Sequence, residues 1–224
     1  MLKQSGLDFL QQLALNNNRE WFNENKQNYE EQVRTPVLNY ITAMSDVLPQ
    51  ISDQFTAIAK KTGGSMMRPY RDVRFSKDKT PYKTNVGIQF RHQLGKNAHA
   101  PGMYLHITPA ECFMGIGIWR PDSPSLRRIR HFMVDNPNYW LSTKKTIEDS
   151  ADFHIGGDRL SRPPQGFDKQ HPLVEDLKYK DFIVIADIPA KAILSSDFTE
   201  ASLNYFLQGK DYLEWLCDAL EVPF

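Results

Sequence analysis

Leu7, Leu10, Leu13 and Ala14 recur at the three- and four-residue spacing of a helix face. The stretch from residue 19 to about 47 repeats the pattern with Trp21, Phe22, Tyr29, Val33, Val37, Leu38, Ile41 and Met44. Two N-terminal helices are predicted, joined near Asn16 to Asn18. Pro36 falls inside the second pattern and either kinks it or opens a fresh helix, because proline lacks a backbone donor and crowds the preceding turn.

From Phe55 onward the texture changes to glycines, prolines and short apolar runs. Residues 85–90, 103–108 and 111–118 read as strands of an antiparallel sheet. Thr108-Pro109-Ala110 marks a tight hairpin, with Tyr104 and His106 on one side alternating against Phe113, Gly115 and Gly117 on the other. After Trp119, Pro121-Asp122-Ser123-Pro124 reads as a helix start, and Leu126, Ile129, Arg130, Met133 and Val134 continue it until Asn136-Pro137 interrupts. A further helix is predicted over about 137–149, a loop over 156–172, a strand over 182–188, and closing helices over 195–207 and 212–220.

These elements predict an α+β fold: a mainly antiparallel sheet in the central part, about 55–120, with helices from the N-terminal part, about 1–50, and the C-terminal part, about 122–224, packed on it. No composition break resembles a linker, so one domain over 1–224 is expected. With 41% hydrophobic residues the chain can bury a conventional core without staples. Cys112 and Cys217 lack the spacing of a zinc site or redox pair and are expected as buried thiols. No apolar stretch approaches the ~18 residues of a membrane span, so a soluble, cytoplasmic protein is the expectation.

The 27 basic and 27 acidic side chains cancel overall, but not locally. Residues 60–83 hold eight basic groups, Lys60, Lys61, Arg68, Arg71, Arg74, Lys77, Lys79 and Lys83, against Asp72 and Asp78, a surplus of six. Residues 173–224 hold ten acids and four lysines, a deficit of six. Guanidinium forks match the oxygens of phosphate or carboxylate and lysines add point charge, so Arg68, Arg71, Arg74, Lys79 and Lys83 suit a small anion. The plainer reading is an internal ion-pair network, with Asp72, Asp78 and the acidic C-terminal helices neutralising the cluster.

NNNREWF, KKTGGSMMRPYRDVRFSKDKTPYKTN, HAPGMYLHI, GIGIWRPDS and RPPQGFDKQHPLVEDLKYKDF together resemble the bacterial family catalogued as domain of unknown function 2461. The resemblance covers nearly the whole chain. It implies a bacterial intracellular protein and transfers no catalytic or binding residue, so candidate chemistry is read from the side chains themselves.

His106 and Glu111 sit near strand ends and are the candidate acid/base pair; Tyr104, Trp119 and Arg120 are expected to line the same concave face as the basic loop. For His106 the plain alternative is a hydrogen-bonded histidine in a half-buried strand, and for Trp119 a core tryptophan at a strand end. Trp119-Arg120 can also sandwich a base or sugar ring. His92, His99 and His106 recur every seven residues, but that step flips faces in a strand, so no metal site is predicted. No GxGxxG, Walker-type, HExxH or GxSxG pattern occurs, and no cofactor is identified.

Three functions compete: a pocket, enzymatic or not, for a small anionic ligand such as a nucleotide or phosphorylated metabolite; nucleic-acid binding with Tyr70, Phe75 and Tyr82 as stacking groups; and a non-catalytic interaction protein whose loop docks an acidic surface, in a homodimer or on a partner. The near-neutral charge ranks nucleic acid below the small ligand. Oligomeric state is not legible.

Overall fold

The computed structural model describes residues 1–95 and 100–224. Helix α1 (Gln4–Leu15) buries Leu7, Phe9, Leu10 and Leu13. Asn18 then caps α2 (Arg19–Glu24), its side chain accepting the Trp21 N–H at 2.9 Å. The second predicted helix is not continuous. It divides into α2, α3 (Lys26–Tyr29) and α4 (Thr35–Val47), with a π-helical turn over Glu30–Arg34 in which the Thr35 N–H reaches back five residues to the Glu30 carbonyl. Pro36 lies in the first turn of α4. Pro36 offers no N–H to the helical ladder, and the widened turn ahead makes room for its ring.

The sheet follows: β1 (Phe55–Thr56), β2 (Val86–His92), β3 (Gly102–Ile107) and β4 (Cys112–Ile118), then helices α5 (Ser123–Asp135) and α6 (Pro137–Glu148), strand β5 (Phe153–Gly156), helix α7 (Val174–Leu177), strand β6 (Phe182–Asp187), and the closing helices α8 (Phe198–Gln208) and α9 (Lys210–Ala219). Strand order is β1-β2-β3-β4-β6-β5, and every neighbouring pair is antiparallel. The α+β architecture expected from the patterning is thus the one observed. Two short edge strands, β1 and β5, were not predicted: each offers too few alternating positions to stand out from a loop.

Alternation decides the two faces of the sheet. Ile88, Phe90, Met103, Leu105, Met114, Ile116 and Val184 are buried on one face. Gln89, Tyr104, His106, Phe113, Ile183 and Ile185 on the other are half-buried. Helices from both ends of the chain cover the buried face: Phe90 meets Tyr40 of α4 at 6.4 Å and Phe206 of α8 at 5.9 Å, while Phe182 meets Trp215 of α9 at 6.1 Å. The predicted hairpin forms with Tyr104 opposite Gly115 and His106 opposite Phe113. Thr108 organises its turn, the hydroxyl accepting the Glu111 N–H at 2.8 Å. Among the described residues no helix is long and apolar enough to cross a membrane.

Two glycines of β4 separate backbone need from mere lack of a side chain. Gly117 has φ +125°, and a Cβ there would lie 2.1 Å from the Phe182 carbonyl oxygen of the paired β6. A Cβ on Gly115 would meet nothing closer than 3.9 Å. Gly117→Ala is therefore expected to cost about 2–4 kcal/mol of stability in urea unfolding. Gly115→Ala should stay within about 0.5 kcal/mol of the parent.

Candidate functional site

The segment between β1 and β2 carries the basic cluster and is anchored at both ends. Near its start, the Gln89 N–H donates to the Ser65 carbonyl and the Met67 N–H to the Gly87 carbonyl, both at 2.9 Å, so residues 65–67 run along the edge of β2. Further on, the Arg71 N–H donates to the Pro81 carbonyl at 2.9 Å and the Lys83 N–H to the Pro69 carbonyl at 2.7 Å, closing a narrow antiparallel ribbon with Tyr70 opposite Tyr82. The prolines present carbonyls only, so they sit where this ribbon needs no donor.

Asn17 fastens the ribbon to the N-terminal helices. Its amide nitrogen donates to the Tyr82 carbonyl at 2.9 Å, and its oxygen accepts the Tyr82 N–H at 3.0 Å, the pairing a neighbouring strand would otherwise supply. The Tyr82 ring stacks on Phe22 with centroids 4.0 Å apart. Buried against Phe22, this tyrosine is not free to stack on a nucleic-acid base.

Acids of the ribbon neutralise part of its charge. Arg71 binds the Asp78 carboxylate and the Thr80 hydroxyl. Arg74 grips Asp72 through two bonds of 3.0 and 2.7 Å, and Lys79 donates to the Val73 carbonyl at 2.9 Å. The Arg71 guanidinium, with the Thr80 N–H and hydroxyl, pulls the Asp78 carboxyl down to about 2, so this tether is complete at neutral pH and is lost only as pH falls through that value. Among the described residues the cluster's ion pairs run to Glu30, Asp72 and Asp78, and none reaches the acidic C-terminal helices.

What stays uncompensated lines a cleft between the ribbon and the α1–α2 junction. Two shallow hollows of about 240 and 410 Å³ share Arg71 and Tyr82. Arg19, Asn23 and Tyr70 line the first; Thr80, Lys83, Thr84 and Asn85 line the second. Arg19 and Lys83 have no carboxylate at ion-pair distance among the described residues, nor has the exposed Arg68. Burial, with Arg68 nearby, holds the Lys83 ammonium below its ordinary pKa.

At the end of the second hollow, Asn85 leads to His106. Nδ1 of His106 lies 3.1 Å from the Tyr104 hydroxyl and 3.5 Å from the Asn85 amide nitrogen, and the ring stacks on Phe113 at 4.7 Å. Two donors directed at Nδ1 place the ring proton on Nε2. Burial lowers the pKa of His106, and Glu111, exposed in the hairpin turn, opposes that shift through its charge. Burial thus favours the neutral imidazole, whose Nδ1 accepts from Tyr104 in this tautomer.

Not all the sequence candidates converge. Arg71 and Lys83 line the cleft, and Tyr104, His106 and Glu111 stand beside it. Arg74 and Lys79 lie toward the ribbon tip, where Phe75 is 96% exposed. Trp119 and Arg120 are elsewhere: Trp119 is six residue steps along the chain from Phe113, the partner of His106, about 20 Å at strand rise. The core reading of Trp119 is also corrected, since the ring is 68% exposed with the Arg120 guanidinium 5.0 Å above it. Arg120 takes φ +51° and turns the chain at the strand end, its N–H donating to Asp181 at 2.8 Å, and this turn leaves the indole outside the core.

Cys112 and Cys217 are buried, and desolvation pushes both thiols up to about 12, so neither is a thiolate nucleophile at neutral pH. His92 faces the core and bonds the Pro223 carbonyl at 2.7 Å, whereas His106 is on the outer face. His99 lies outside the described residues, among which no three potential metal ligands cluster. Sequence reasoning missed Asn17, Arg19, Asn23 and Asn85. The available signal was the place of Asn17 and Arg19 in the NNNREWF motif, of Asn23 just after it and of Asn85 in KTN, but the pairing of Asn17 with Tyr82 spans 65 residues and leaves no local trace.

Fold and cleft together define an α+β protein with a one-sided antiparallel sheet and a basic ribbon at its edge. The chain matches the model of the family described as conserved hypothetical protein (DUF2461) over residues 5–215, and it belongs to that family. No curated protein matches the chain.

Asn17→Ala removes both bonds to the Tyr82 backbone while leaving the Phe22 stack. It is expected to cost about 1–3 kcal/mol and to speed hydrogen exchange at the Tyr82 amide more than at amides of β3. Unchanged exchange at Tyr82 would show that the stack alone holds the ribbon.

Proposed function

We propose that the cleft centred on Arg71 binds a small anionic ligand, phosphorylated or nucleotide-like. The observation that carries this reading is the charge left over after the ribbon's own acids are spent. Arg71 and Arg74 are paired, yet Arg19, Arg68 and Lys83 keep their charge without a carboxylate, and two of them line the hollows beside Arg71. Thr80, Thr84, Asn23 and Asn85 add neutral donors suited to hydroxyl or carbonyl groups of the same ligand. His106 is the candidate proton acceptor beside the cleft, with Tyr104 and Asn85 at its Nδ1 and the charge of Glu111 opposing the burial that lowers its pKa. A ligand of this kind belongs to the cytoplasm, the location this reading implies for a single-domain bacterial protein.

Nucleic acid is the second reading, favoured by one observation: the nearly fully exposed Phe75 at the tip, close to Arg74, Lys77 and Lys79. The burial of Tyr82 leaves it fewer stacking groups than the sequence offers, so the small ligand is preferred.

Calorimetric titration with 5′-mononucleotides and sugar phosphates tests the reading. A binding compound should lose about tenfold in affinity in Arg19→Ala and again in Lys83→Ala, the worth of one charge-assisted bond each. Because the positive form of Lys83 does the binding and its pKa is depressed, affinity should fall with rising pH before the ordinary lysine value is reached, sooner than an arginine-only site would allow. If only oligonucleotides bind, with steep salt dependence, the function moves to nucleic acid.

A further inference from the structure

Helix α5 carries a buried cation that the described part of the chain does not neutralise. Arg130 is 8% exposed. Its Nη2 donates to the Tyr179 carbonyl at 2.9 Å, and its Nε is enclosed with no partner. No carboxylate among the described residues lies at ion-pair distance from it, and burial alone shifts its pKa, downward. Buried charges in folded proteins are otherwise paired, because removing a guanidinium from water without a counter-ion is costly. The next residue but one shows the contrast: Arg128 has Glu221 at 3.7 Å.

Arg130 does not stand alone. Arg127 lies three residues before Arg130 and four before His131, so on the helix surface it neighbours both. Arg127 Nε is 3.4 Å from His131 Nε2, and the His131 ring lies 4.9 Å from Phe167 of the loop between β5 and α7. Two guanidiniums one turn apart repel unless an anion bridges them. Arg127 and His131 are exposed, so the group is open to solvent on their side, while Arg130 itself is buried. It draws on the RPPQGF segment that the Arg71 cleft leaves unused.

We infer that Arg127, Arg130 and His131 form a second oxyanion site, which takes a phosphate or carboxylate group against the two guanidiniums with Phe167 as its apolar wall. The site supplies Arg130 with the counter-ion the chain withholds. It is independent of the cleft at Arg71 and involves different residues throughout.

The test follows arginine Nε–H signals by NMR in protein carrying ¹⁵N-arginine. The enclosed Arg130 Nε–H is protected from exchange and is assigned by its disappearance in Arg130→Lys. Sodium phosphate and sodium acetate are titrated separately at constant ionic strength against chloride. A saturable shift of the Arg130 signal is expected, about tenfold weaker in Arg127→Ala, the loss of one charge-assisted bond. A response to phosphate alone or acetate alone names the ligand group. It should persist in Arg19→Ala/Lys83→Ala protein, in which the first cleft is disabled; loss there would overturn the site as a separate one. As a second measurement, the better anion should raise the thermal midpoint of that double variant, and should fail to do so once Arg127→Ala and His131→Ala are added. An unmoved Arg130 signal with both anions, or a midpoint insensitive to the added substitutions, overturns the proposal and leaves Arg130 as a tie to the Tyr179 carbonyl.

Discussion

Phe90, on β2, takes Tyr40 from one end of the chain and Phe206 from the other on the same face. The rest of the architecture depends on this sharing. A single antiparallel sheet has one face to bury, and strict alternation along β2, β3, β4 and β6 commits Ile88, Phe90, Leu105, Met114 and Val184 to it. Helices separated by most of the sequence must therefore meet over one surface. The other face keeps Tyr104, His106 and Phe113 half-open to solvent.

That division explains where polar chemistry can gather. A ribbon leaving the sheet edge after β1 has no buried face to join, so it is held by backbone pairing across Pro69 and Pro81, by the Asn17 amide and by the Tyr82–Phe22 stack. Such a segment tolerates high charge because most of its side chains remain in water. Its acids pair locally with Arg71 and Arg74, whereas Lys83, partly desolvated and near Arg68, remains unpaired. The polar end of β3 then lies next to the cationic cleft through Asn85.

The local signals in the chain were read well where period and packing agree. The helix over α5 is announced by Asp122, whose side chain accepts the Ser125 N–H at 2.9 Å, and the β3–β4 hairpin by Thr108 and Pro109. Within the pattern from Trp21 to Met44, Pro36 marks an interruption that takes the form of a widened turn just ahead of it. A tertiary contact overrides the local rule at the end of β4. Trp119 has the profile of a core residue, yet a left-handed Arg120 carries it out.

By itself the sequence determined the α+β class, the antiparallel centre, the β3–β4 hairpin and the excess of positive charge between residues 60 and 83, because each is written in neighbouring residues through side-chain period, turn chemistry or charge. Only the tertiary structure decided which charges are spent and which remain. Arg71 and Lys83 are alike as cations in sequence, but one meets Asp78 and the other meets no carboxylate among the described residues. Arg128 and Arg130 differ in the same way. Pairing and desolvation depend on distances between side chains that are remote in sequence, and the chain sets those distances only when it folds.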